Sequence, residues 1–371
     1  MGFTEGDAWA TPRARRGKRK DILPTAVRAL VTGATGAIGP AAVRALLTAG
    51  AAVRVFGRLD RVRDQPDRWP GWLPGVELAS GDITRPDTVA AAMPDIDVVI
   101  HLAALLHVVN PPAGHEQRYR TINVDGTRHV AEAAAAAGVR RLVLASTTAV
   151  YGPTGGQPAS EDTAPAPDSW YAESKLEAER VARAVGRQSG VEVVILRLSA
   201  VYGPRVRGNY RRLLRAMARG RFVSIGPGRN RRSLVADTDA ARAFELAARH
   251  PAAAGQTFNV ADGPAHTVDE ILAAMAAAVG RRRPRWHLPA GLARIAAEAG
   301  DIAGGVVGRR PGLRPSIEKY LEESAVEASR IVDVLGFRPE LDLADGWRMT
   351  AESLRATGEL PPLAGPALVR T

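Results

Sequence analysis

Between residues 26 and 199, short apolar runs alternate with longer segments in which apolar residues recur at helical spacing. The short runs are mostly apolar and rich in Val, Leu and Ile, which is typical of strands buried on both faces. Strands that alternate with helices in this way form a parallel sheet with helices on both sides. The sequence therefore predicts a doubly wound α/β fold. The predicted strands are 26–33, 52–56, 76–82, 97–104, 140–147 and 191–199, and the predicted helices are 40–50, 87–93, 121–138 and 171–190.

The first strand–helix connection, VTGATGAIGP at 31–40, contains Gly33, Gly36 and Gly39. Glycines at this place permit a tight turn, close approach of the backbone to a pyrophosphate, and close packing of the helix on the strand. The phosphates would bind the free N–H groups and the positive dipole at the start of the helix. The segment therefore predicts a dinucleotide site in a Rossmann-type fold.

The alternation weakens beyond about residue 205, where the chain is mostly helical with short strand-like pieces at 221–225, 233–236 and 256–260. We expect a smaller, mostly helical C-terminal substrate domain that folds against the carboxyl ends of the strands, where open α/β sheets bind ligands. The predicted parts are a basic, disordered leader over 1–24, a dinucleotide-binding Rossmann domain over 25–204, and a mainly substrate-binding domain over 205–371 with some segments returning to the sheet.

Composition and charge exclude several classes of protein. The chain has no cysteine, which excludes disulfides, thiolate metal sites and cysteine nucleophiles, and no metal site is predicted. The net charge of +11 is concentrated in RARRGKRK at 13–20, a block that usually stays solvated, so nucleic acid is not an expected partner. No segment reaches the roughly 20 apolar residues of a membrane span, and the nearest, 287–307, is expected to be an amphipathic helix. We therefore expect a cytoplasmic protein.

Tyr171 and Lys175 stand four residues apart in the predicted helix 171–190. Residues four apart share a helical face, so the ammonium can lie beside the phenol. That charge, together with a positively charged nicotinamide ring, would lower the pKa of Tyr171 from its usual value of about 10. We expect Tyr171 to exchange a proton with a substrate hydroxyl while hydride moves to or from the cofactor.

The spacing GxxGxxG resembles that of the short-chain dehydrogenase/reductase superfamily, and further motifs resemble its extended branch, the NAD-dependent epimerase/dehydratase family. They occur in the order that this family has, over about residues 26–350. The matching motifs are TGATGAIG (32–39), GDI (81–83), HLAA (101–104), NVDGT (123–127), STTAVYG (146–152), YAESK (171–175), LRLSAVYGP (196–204), RRSLVADTD (231–239) and LGFRPELDLADGW (335–347).

The resemblance implies NAD or NADP as the cofactor. An acidic residue usually binds the ribose of NAD after the second strand, but here that position is Gly57, and the Arg58 that follows can accept the 2′-phosphate of NADP. Asp82 resembles the residue that binds the adenine amino group, with Ile83 packing on the ring. The implied cofactor contacts are Gly33, Gly36, Ala37, Ile38, Gly39, Gly57, Arg58, Asp82, Ile83, Leu102, Ala103, Ala104, Asn123, Tyr171, Lys175 and Ser199.

The resemblance also implies substrate contacts. Thr147 would hold the reacting substrate oxygen, with Ser146 as the second choice. Arg232 matches a position that holds the diphosphate of a nucleotide sugar, and Asn209 lies in a segment that often touches the nucleotide. Ala200 departs from the family, which often has an asparagine there in contact with the substrate. The loop 105–120 is expected to border the sugar, with His107 and His115 solvated.

Two positions that follow the catalytic threonine limit the types of reaction that are expected. The 4,6-dehydratases of the family carry Asp-Glu there, and its decarboxylases carry one carboxylate, whereas this chain has Thr148 and Ala149. The resemblance therefore implies an enzyme that is not a 4,6-dehydratase.

The leading hypothesis is a nucleotide-sugar 4-epimerase acting on a UDP-sugar or a similar sugar. The alternatives are an NADPH-dependent reductase of a keto-sugar or other ketone and a non-catalytic NAD(P)-sensing protein, although sensors usually lose the Tyr or the Lys. A homodimer through the helices 121–138 and 171–190 is a further implication.

Overall fold

The structure is a computed structural model that describes residues 27–59, 75–108, 111–112, 114–282, 287–306 and 313–363, with the backbone alone for 302–306 and 313. The predicted basic leader, 1–24, lies outside these ranges. Within them, no helix has the length and apolar character needed to span a membrane.

A parallel sheet forms the centre of the molecule. The strands of the described ranges are β1 (Arg28–Thr32), β2 (Ala52–Gly57), β3 (Glu77–Ser80), β4 (Val98–His101), β5 (Arg141–Thr147), β6 (Glu192–Leu198), β7 (Ala200–Tyr202), β8 (Ser224–Ile225), β9 (Arg231–Arg232), β10 (Leu234–Ala236), β11 (Thr257–Val260), β12 (His266–Thr267) and β13 (His287–Leu288). Seven strands of these ranges pair in parallel in the order β11-β6-β5-β4-β1-β2-β3. The chain runs outward from β1 to β3 and then returns to β4 beside β1, which creates the switch point where such sheets bind ligands. The predicted Rossmann-type sheet is confirmed, and the piece predicted at 256–260 joins it as β11.

Helices cover both faces of this sheet. The helices of the described ranges are α1 (Gly39–Thr48), α2 (Pro86–Ala91), α3 (His115–Tyr119), α4 (Gly126–Ala136), α5 (Trp170–Ser189), α6 (Asn209–Ala218), α7 (Asp237–Arg249), α8 (Val268–Ala278), α9 (Ala290–Val306), α10 (Leu313–Leu321), α11 (Ser329–Leu335) and α12 (Leu343–Ala356). Successive strand residues point to opposite faces, so Val31 enters the core under α1, α7 and α11, and Leu30 enters the core under α2, α4 and α5. Both side chains are fully buried, and each such burial stabilises the fold by about 1.5–3 kcal/mol.

The helix predicted at 121–138 has a different form. It starts earlier as α3, passes through a π-helical turn at Arg120–Asp125, and continues as α4. The segment 105–120 was expected to be a loop, but its last residues, from His115 onward, are helical. A π-helical turn bonds each N–H one residue further back than an α-helix does, and such turns are frequent at functional sites. This turn carries Asn123 and directs it inward, where it is buried.

The C-terminal part is mostly helical, as predicted, with pairs of short strands. Strand β7 pairs with β10, β9 with β12, and β8 with β13. Helices α6, α8 and α12 enclose a separate core that includes Leu214, Leu272 and Trp347. The segment 287–307, expected to be an amphipathic helix, contains α9, which packs against α10. The domain boundaries proposed from the sequence stay a prediction.

The helix that carries Tyr171 and Lys175 has defined ends. The Ser169 hydroxyl accepts the Ala172 N–H at the start of α5, and Gly190, in the left-handed conformation at φ +81°, ends it. These caps fix the register of α5, so both residues lie on the face that packs toward β5 and the π-helical turn.

Candidate active site

The glycine-rich turn is shaped by close backbone packing. Gly33 has φ +70°, and a Cβ there would lie 2.6 Å from the backbone nitrogen of Ala103. A Cβ on Gly39 would lie 2.2 Å from the carbonyl oxygen of Ala34. At Gly36 the contact would be looser, 3.0 Å from the Gly33 carbonyl oxygen. Glycine is therefore needed at the first and third positions so that the helix, the turn and the segment after β4 can approach one another.

No side chain of the described residues caps the start of α1, where Ile38 occupies the N-cap position. The first N–H groups of a helix have no partner within it, and they attract an anion when no side chain accepts them. The structure therefore leaves this end of α1 available to phosphate oxygens at the carboxyl ends of β1 and β4.

Other predicted cofactor residues lie at the same edge of the sheet, because each follows the carboxyl end of a strand. Gly57 ends β2, and a Cβ on it would meet no atom within 4 Å. The Arg58 guanidinium lies 3.9 Å from the Asp82 carboxylate, which also accepts the N–H and the hydroxyl of Thr84 at 3.0 and 2.9 Å. The Ser199 hydroxyl, after β6, is buried and makes no hydrogen bond with the described residues. The predicted residues that lie at this edge are Gly57, Arg58, Asp82, Ile83, Leu102, Ala103, Ala104, Ser146, Thr147 and Ser199.

A buried histidine joins the glycine-rich turn to α4. His101 Nδ1 lies 2.7 Å from the Thr32 hydroxyl, and Nε2 lies 3.1 Å from the Thr127 hydroxyl. The Thr127 hydroxyl donates its proton to the Asn123 carbonyl oxygen at 2.6 Å, so it accepts from Nε2–H, and Nδ1 accepts from Thr32. Burial, and to a smaller degree the charge of Lys175, lower the pKa of His101 to about 3. This imidazole is therefore neutral, and it has a structural role that the sequence analysis missed.

Asn123 anchors the segment after β4 to the catalytic helix. Its Oδ1 accepts the Leu105 N–H at 2.7 Å, and its Nδ2 donates to the Leu105 carbonyl oxygen at 3.1 Å and to the Ser174 hydroxyl at 2.9 Å. The Ser174 hydroxyl in turn donates to the Tyr171 carbonyl oxygen at 2.7 Å. Both Nδ2 hydrogens are thus used within the protein, and a contact of Asn123 with the cofactor stays a prediction.

Tyr171, Thr147 and Lys175 come together at the carboxyl end of β5. The Thr147 side chain lies close enough to the Tyr171 hydroxyl to lower its pKa, and Thr147 also accepts the Ala149 N–H at 3.2 Å. Burial raises the pKa of Tyr171 to about 12, although the Thr147 hydrogen bond lowers it. Burial lowers the pKa of Lys175 to about 8, and the Glu179 charge raises it. Loss of solvation by the phenolate has the larger effect here, and the lowering expected from the ammonium together with a nicotinamide ring stays a prediction.

The structure distinguishes between the two candidate hydroxyls at the end of β5. Ser146 and Thr147 point to opposite faces of the strand. The Ser146 hydroxyl is buried and donates to Glu179 Oε1 at 2.5 Å. Glu179 is held by Arg197 through two hydrogen bonds of 3.0 and 2.8 Å. Of the two, Thr147 is the hydroxyl placed beside Tyr171.

Two aromatic rings surround Tyr171. The His107 and Tyr119 rings have centroids 5.9 and 6.1 Å from the Tyr171 ring. The Tyr119 hydroxyl holds the intervening loop, since it accepts the Val108 N–H at 3.0 Å and donates to the Leu106 carbonyl oxygen at 3.1 Å. His107 is exposed, as expected, and its ring also contacts the ring of Tyr171. Nothing in the local sequence indicates a contact that spans 64 positions.

His107 also faces the C-terminal part of the chain. Burial lowers its pKa, the charge of Lys319 lowers it further, and the charges of Asp168 and Glu322 raise it. The charges of Lys319 and Glu322 therefore reach this imidazole from α10 and the residue after it.

The two predicted substrate residues of the C-terminal part, Asn209 and Arg232, make their hydrogen bonds within that part. Asn209 begins α6, is exposed, and accepts a hydrogen bond from Arg212. Arg232, on β9, donates to the carbonyl oxygens of Lys319 and Glu322, and its buried Nε makes no hydrogen bond with the described residues.

The neighbouring Arg231, which the sequence analysis did not select, points the other way. It donates to the Gly156 carbonyl oxygen at 2.7 Å and to Glu323 Oε1 at 2.8 Å. The alternation of side chains along a strand would have indicated that the two arginines serve different faces.

Comparisons with known proteins agree with this geometry. The model of the NAD dependent epimerase/dehydratase family matches residues 29–261. A UDP-glucose 4-epimerase from Vibrio cholerae is 30% identical over 328 residues, which cover 87% of this chain and 94% of that protein. An N-acetyl-alpha-D-glucosaminyl-diphospho-ditrans,octacis-undecaprenol 4-epimerase from Escherichia coli O157:H7 is 29% identical over 224 residues, 60% of this chain and 66% of that protein. The structure of MoeE5 in complex with UDP-glucose and NAD has a TM-score of 0.69 at 29% identity and covers 89% of this chain and 99% of that one. The chain belongs to the NAD-dependent epimerase/dehydratase family.

Proposed function

We propose that this protein is an NAD(P)-dependent 4-epimerase of a sugar carried on a diphosphate, with a UDP-sugar as the expected form. The observation that carries the proposal is the placement of Tyr171 beside Thr147, which ends β5 at the carboxyl edge of the sheet, with Lys175 one helical turn beyond Tyr171. The relative that acts on UDP-glucose and the related structure with UDP-glucose and NAD support the choice of sugar and cofactor.

The carboxyl edge of the sheet fits a dinucleotide. The tight turn at Gly33, the uncapped start of α1 and the unpartnered Ser199 hydroxyl all lie there. The turn would hold the pyrophosphate, Asp82 the adenine end, and Lys175 the nicotinamide ribose. A bound nicotinamide dinucleotide supplies a reversible two-electron oxidant for a carbinol carbon.

Tyr171 and Thr147 supply the proton chemistry of an epimerisation. Oxidation of the carbinol removes one proton from its oxygen, and reduction of the ketone returns one proton to the same oxygen, so one acid/base group is sufficient. The Thr147 hydroxyl accepts the Ala149 N–H, which leaves its own hydrogen for the substrate oxygen or the Tyr171 oxygen. Burial disfavours the charged phenolate, so Tyr171 keeps its proton until a positive charge is bound beside it.

Dehydration is not part of the proposal. The residues after Thr147 form a 3-10 turn, Thr148–Tyr151, in which Thr148 and Ala149 present no carboxylate. Elimination of water needs a second acid/base group to remove a carbon-bound proton and to protonate the leaving hydroxyl.

Two measurements test the function. Mass spectrometry of the purified protein should find retained NAD or NADP, because an epimerase reuses its cofactor within one turnover. Nuclear magnetic resonance of UDP-glucose or UDP-N-acetylglucosamine incubated with the protein should show conversion to the 4-epimer without added dinucleotide. A protein that interconverts no diphospho-sugar at any pH would overturn the proposal.

A second candidate is an NADPH-dependent ketoreductase. It is favoured by Arg58, exposed at the end of β2, and by Ala200, exposed where the family often has a substrate-binding asparagine. A reductase releases its cofactor after each turnover, so reversible uptake of NADPH by a protein purified without dinucleotide would favour it over the epimerase.

The helices α4 and α5 are also proposed to form a homodimer interface, as the resemblance implies. Light scattering during size-exclusion chromatography should give twice the chain's 39.3 kDa. A mass of one chain at micromolar concentration would contradict the dimer.

A further inference from the structure

A buried carboxylate follows the catalytic residues in α5. Glu179 stands four positions after Lys175, its side chain has no exposed surface, and Lys175 is 3% exposed. Residues four apart lie on the same face of a helix, with their Cβ atoms about 5–6 Å apart. The spacing that places Lys175 beside Tyr171 therefore also places Glu179 beside Lys175, one helical turn further along α5.

Three side chains fix the position of the Glu179 carboxylate. The Ser146 hydroxyl donates to Oε1 at 2.5 Å, and Arg197 donates to Oε1 and Oε2 at 3.0 and 2.8 Å. Arg183, one further turn along α5, donates to Oε2 at 3.4 Å and to the Thr257 hydroxyl at 2.7 Å. Hydrogen bonds from guanidinium groups to a carboxylate are strong and directional. The contacts are therefore those of an anion that is held in one orientation.

Stability alone does not account for this buried ion pair. Desolvation of two buried ions offsets much of their attraction, and an apolar pair of similar size is often at least as stable. The Glu179–Arg197 pair lies instead beside catalytic elements. Ser146, which binds Glu179, directly precedes Thr147, and the Arg197 guanidinium lies 4.9 Å from the centre of the Tyr151 ring in the 3-10 turn after Thr147. This location indicates that the charge serves the active site.

Glu179 supplies a negative charge that acts on Lys175. Burial lowers the pKa of Lys175 to about 8, and the Glu179 carboxylate opposes this effect. Two titratable neighbours are uncharged near pH 8, because burial lowers the pKa of His101 to about 3 and raises that of Tyr151. The groups that face this part of α5 include His101 of β4, Tyr119 of α3, the uncharged Asn123 and Thr127 of the π-helical turn and α4, Tyr151, Tyr171, Arg183 and Arg197.

We propose that Glu179 is a positioning residue whose buried carboxylate keeps Lys175 charged, so that the ammonium is available to the cofactor. Ser146 and Arg197 hold the carboxylate where it can act. The inference rests on the proposed function for the use of the ammonium, whereas the effect of Glu179 on Lys175 is measurable without cofactor or substrate.

The small number of lysines allows a direct measurement. The chain has Lys18, Lys20, Lys175 and Lys319, so protein labelled with 13C at the lysine Cε gives one nuclear magnetic resonance signal for each. The signal that is absent from Lys175→Met belongs to Lys175, and its shift follows the protonation of the amine. We expect a midpoint near pH 8 in the wild type and a midpoint about one pH unit lower in Glu179→Gln.

Two matched variants separate the charge from the shape of the side chain. Glu179→Gln keeps the size and loses the charge, whereas Glu179→Asp keeps the charge and loses length. The midpoint of Lys175 should move less than half as far in Glu179→Asp as in Glu179→Gln, although Asp fills the site less well. Glu177→Gln is the control, because Glu177 lies on the same helix, is 44% exposed and pairs with Arg180. It should leave the midpoint unchanged.

Dinucleotide binding gives a second readout that a structural role would not produce. If the ammonium holds the nicotinamide ribose, the apparent affinity for NAD follows the protonated fraction of Lys175. Glu179→Gln should therefore bind NAD about fivefold more weakly than the wild type at pH 8, and less than twofold more weakly at pH 6. Loss of a structural contact would weaken binding equally at both pH values.

A double variant covers the case in which Glu179→Gln does not fold. Glu179→Met with Arg197→Met replaces the ion pair with apolar side chains of similar size, a change that buried pairs often tolerate. It also removes the carboxylate, so the Lys175 midpoint should again lie below that of the wild type.

The outcomes separate this inference from the proposed function. A Lys175 midpoint that is the same with and without the Glu179 carboxylate, or that moves further in Glu179→Asp than in Glu179→Gln, would overturn the inference. Turnover of UDP-sugars in that case would leave the epimerase intact. A midpoint that falls in Glu179→Gln, in a protein that binds NAD but converts no diphospho-sugar, would support the role of Glu179 and reject the epimerase.

Discussion

The Tyr171 hydroxyl is the atom on which the proposed chemistry depends. Its ring is held between Tyr119 and His107, and its oxygen is bonded to Thr147, so the position of the ring does not depend on the proton that it exchanges. Structure and reactivity are therefore separable at this residue.

Tyr171→Phe tests this separation. The ring contacts remain, so the midpoint of thermal unfolding and the affinity for dinucleotide should change little. Loss of the acid/base group should lower kcat by about 100- to 10,000-fold. Steady-state kinetics and fluorescence titration with NAD measure the two effects. Loss of dinucleotide affinity parallel to the loss of activity would mean that the hydroxyl has a structural role.

Gly57 controls the charge at the ribose end of the dinucleotide site. A Cβ there meets no atom within 4 Å, so Gly57→Asp should fold normally. The new carboxylate would repel a 2′-phosphate and offer acceptors to a 2′-hydroxyl, so affinity for NADP should fall at least tenfold while affinity for NAD is kept or improved. Equal changes in both affinities, measured by isothermal titration, would show that the dinucleotide does not approach this residue.

At the scale of elements, the π-helical turn Arg120–Asp125 matters because it directs Asn123 toward two other segments. Asn123→Ala would leave the Leu105 backbone groups and the Ser174 hydroxyl without their partner, which should lower the free energy of unfolding by about 1–3 kcal/mol. The loop that carries His107 should also loosen and lower kcat. Ser174→Ala, the control, removes one of the three Asn123 bonds and the bond to the Tyr171 carbonyl oxygen, but it keeps both Asn123 bonds to Leu105. It should therefore leave the loop in place and have the smaller effect in urea unfolding and in kinetics.

The elements that the sequence predicted well are those whose pattern is local. Strands β1, β2, β5 and β6 are continuous apolar runs, and their bounds agree with the prediction within two residues. The segment 105–125 was predicted less well, because its conformation depends on bonds from Asn123 to residues 18 and 51 positions away.

In the active site, too, features set by local sequence were predicted and features set by distant contacts were not. The Gly33 turn and the Tyr171–Lys175 spacing are visible in short stretches of sequence. The choice of Thr147 over Ser146 depends on Glu179, a fully buried carboxylate 33 positions away. The pKa of Tyr171 could not be predicted from its neighbour in the helix, because burial of the whole site determines it.

At the scale of the whole molecule, burial of Lys175 in the active site lowers the free energy of unfolding. This lysine is 3% exposed, and burial lowers its pKa from 10.5 to about 8. Below about pH 8 the folded protein must hold a buried ammonium that the unfolded chain exposes to water. Between about pH 8 and 10.5 the unfolded chain binds a proton that the folded protein has released, so the free energy of unfolding rises with pH.

Lys175→Met removes this cost along with the function. The variant should bind dinucleotide poorly, yet at pH 6.5 its free energy of unfolding should exceed that of the wild type by about 3 kcal/mol. At pH 10 the difference should shrink to about 1 kcal/mol. Titration of Tyr171 does not contribute to this difference, because both proteins contain that residue. Urea unfolding at the two pH values measures the difference. Lys319→Met, at a lysine whose side chain is 43% exposed, is the control for the loss of a lysine side chain. A gap between wild type and Lys175→Met that is the same at both pH values would mean that the Lys175 ammonium is not destabilised by burial.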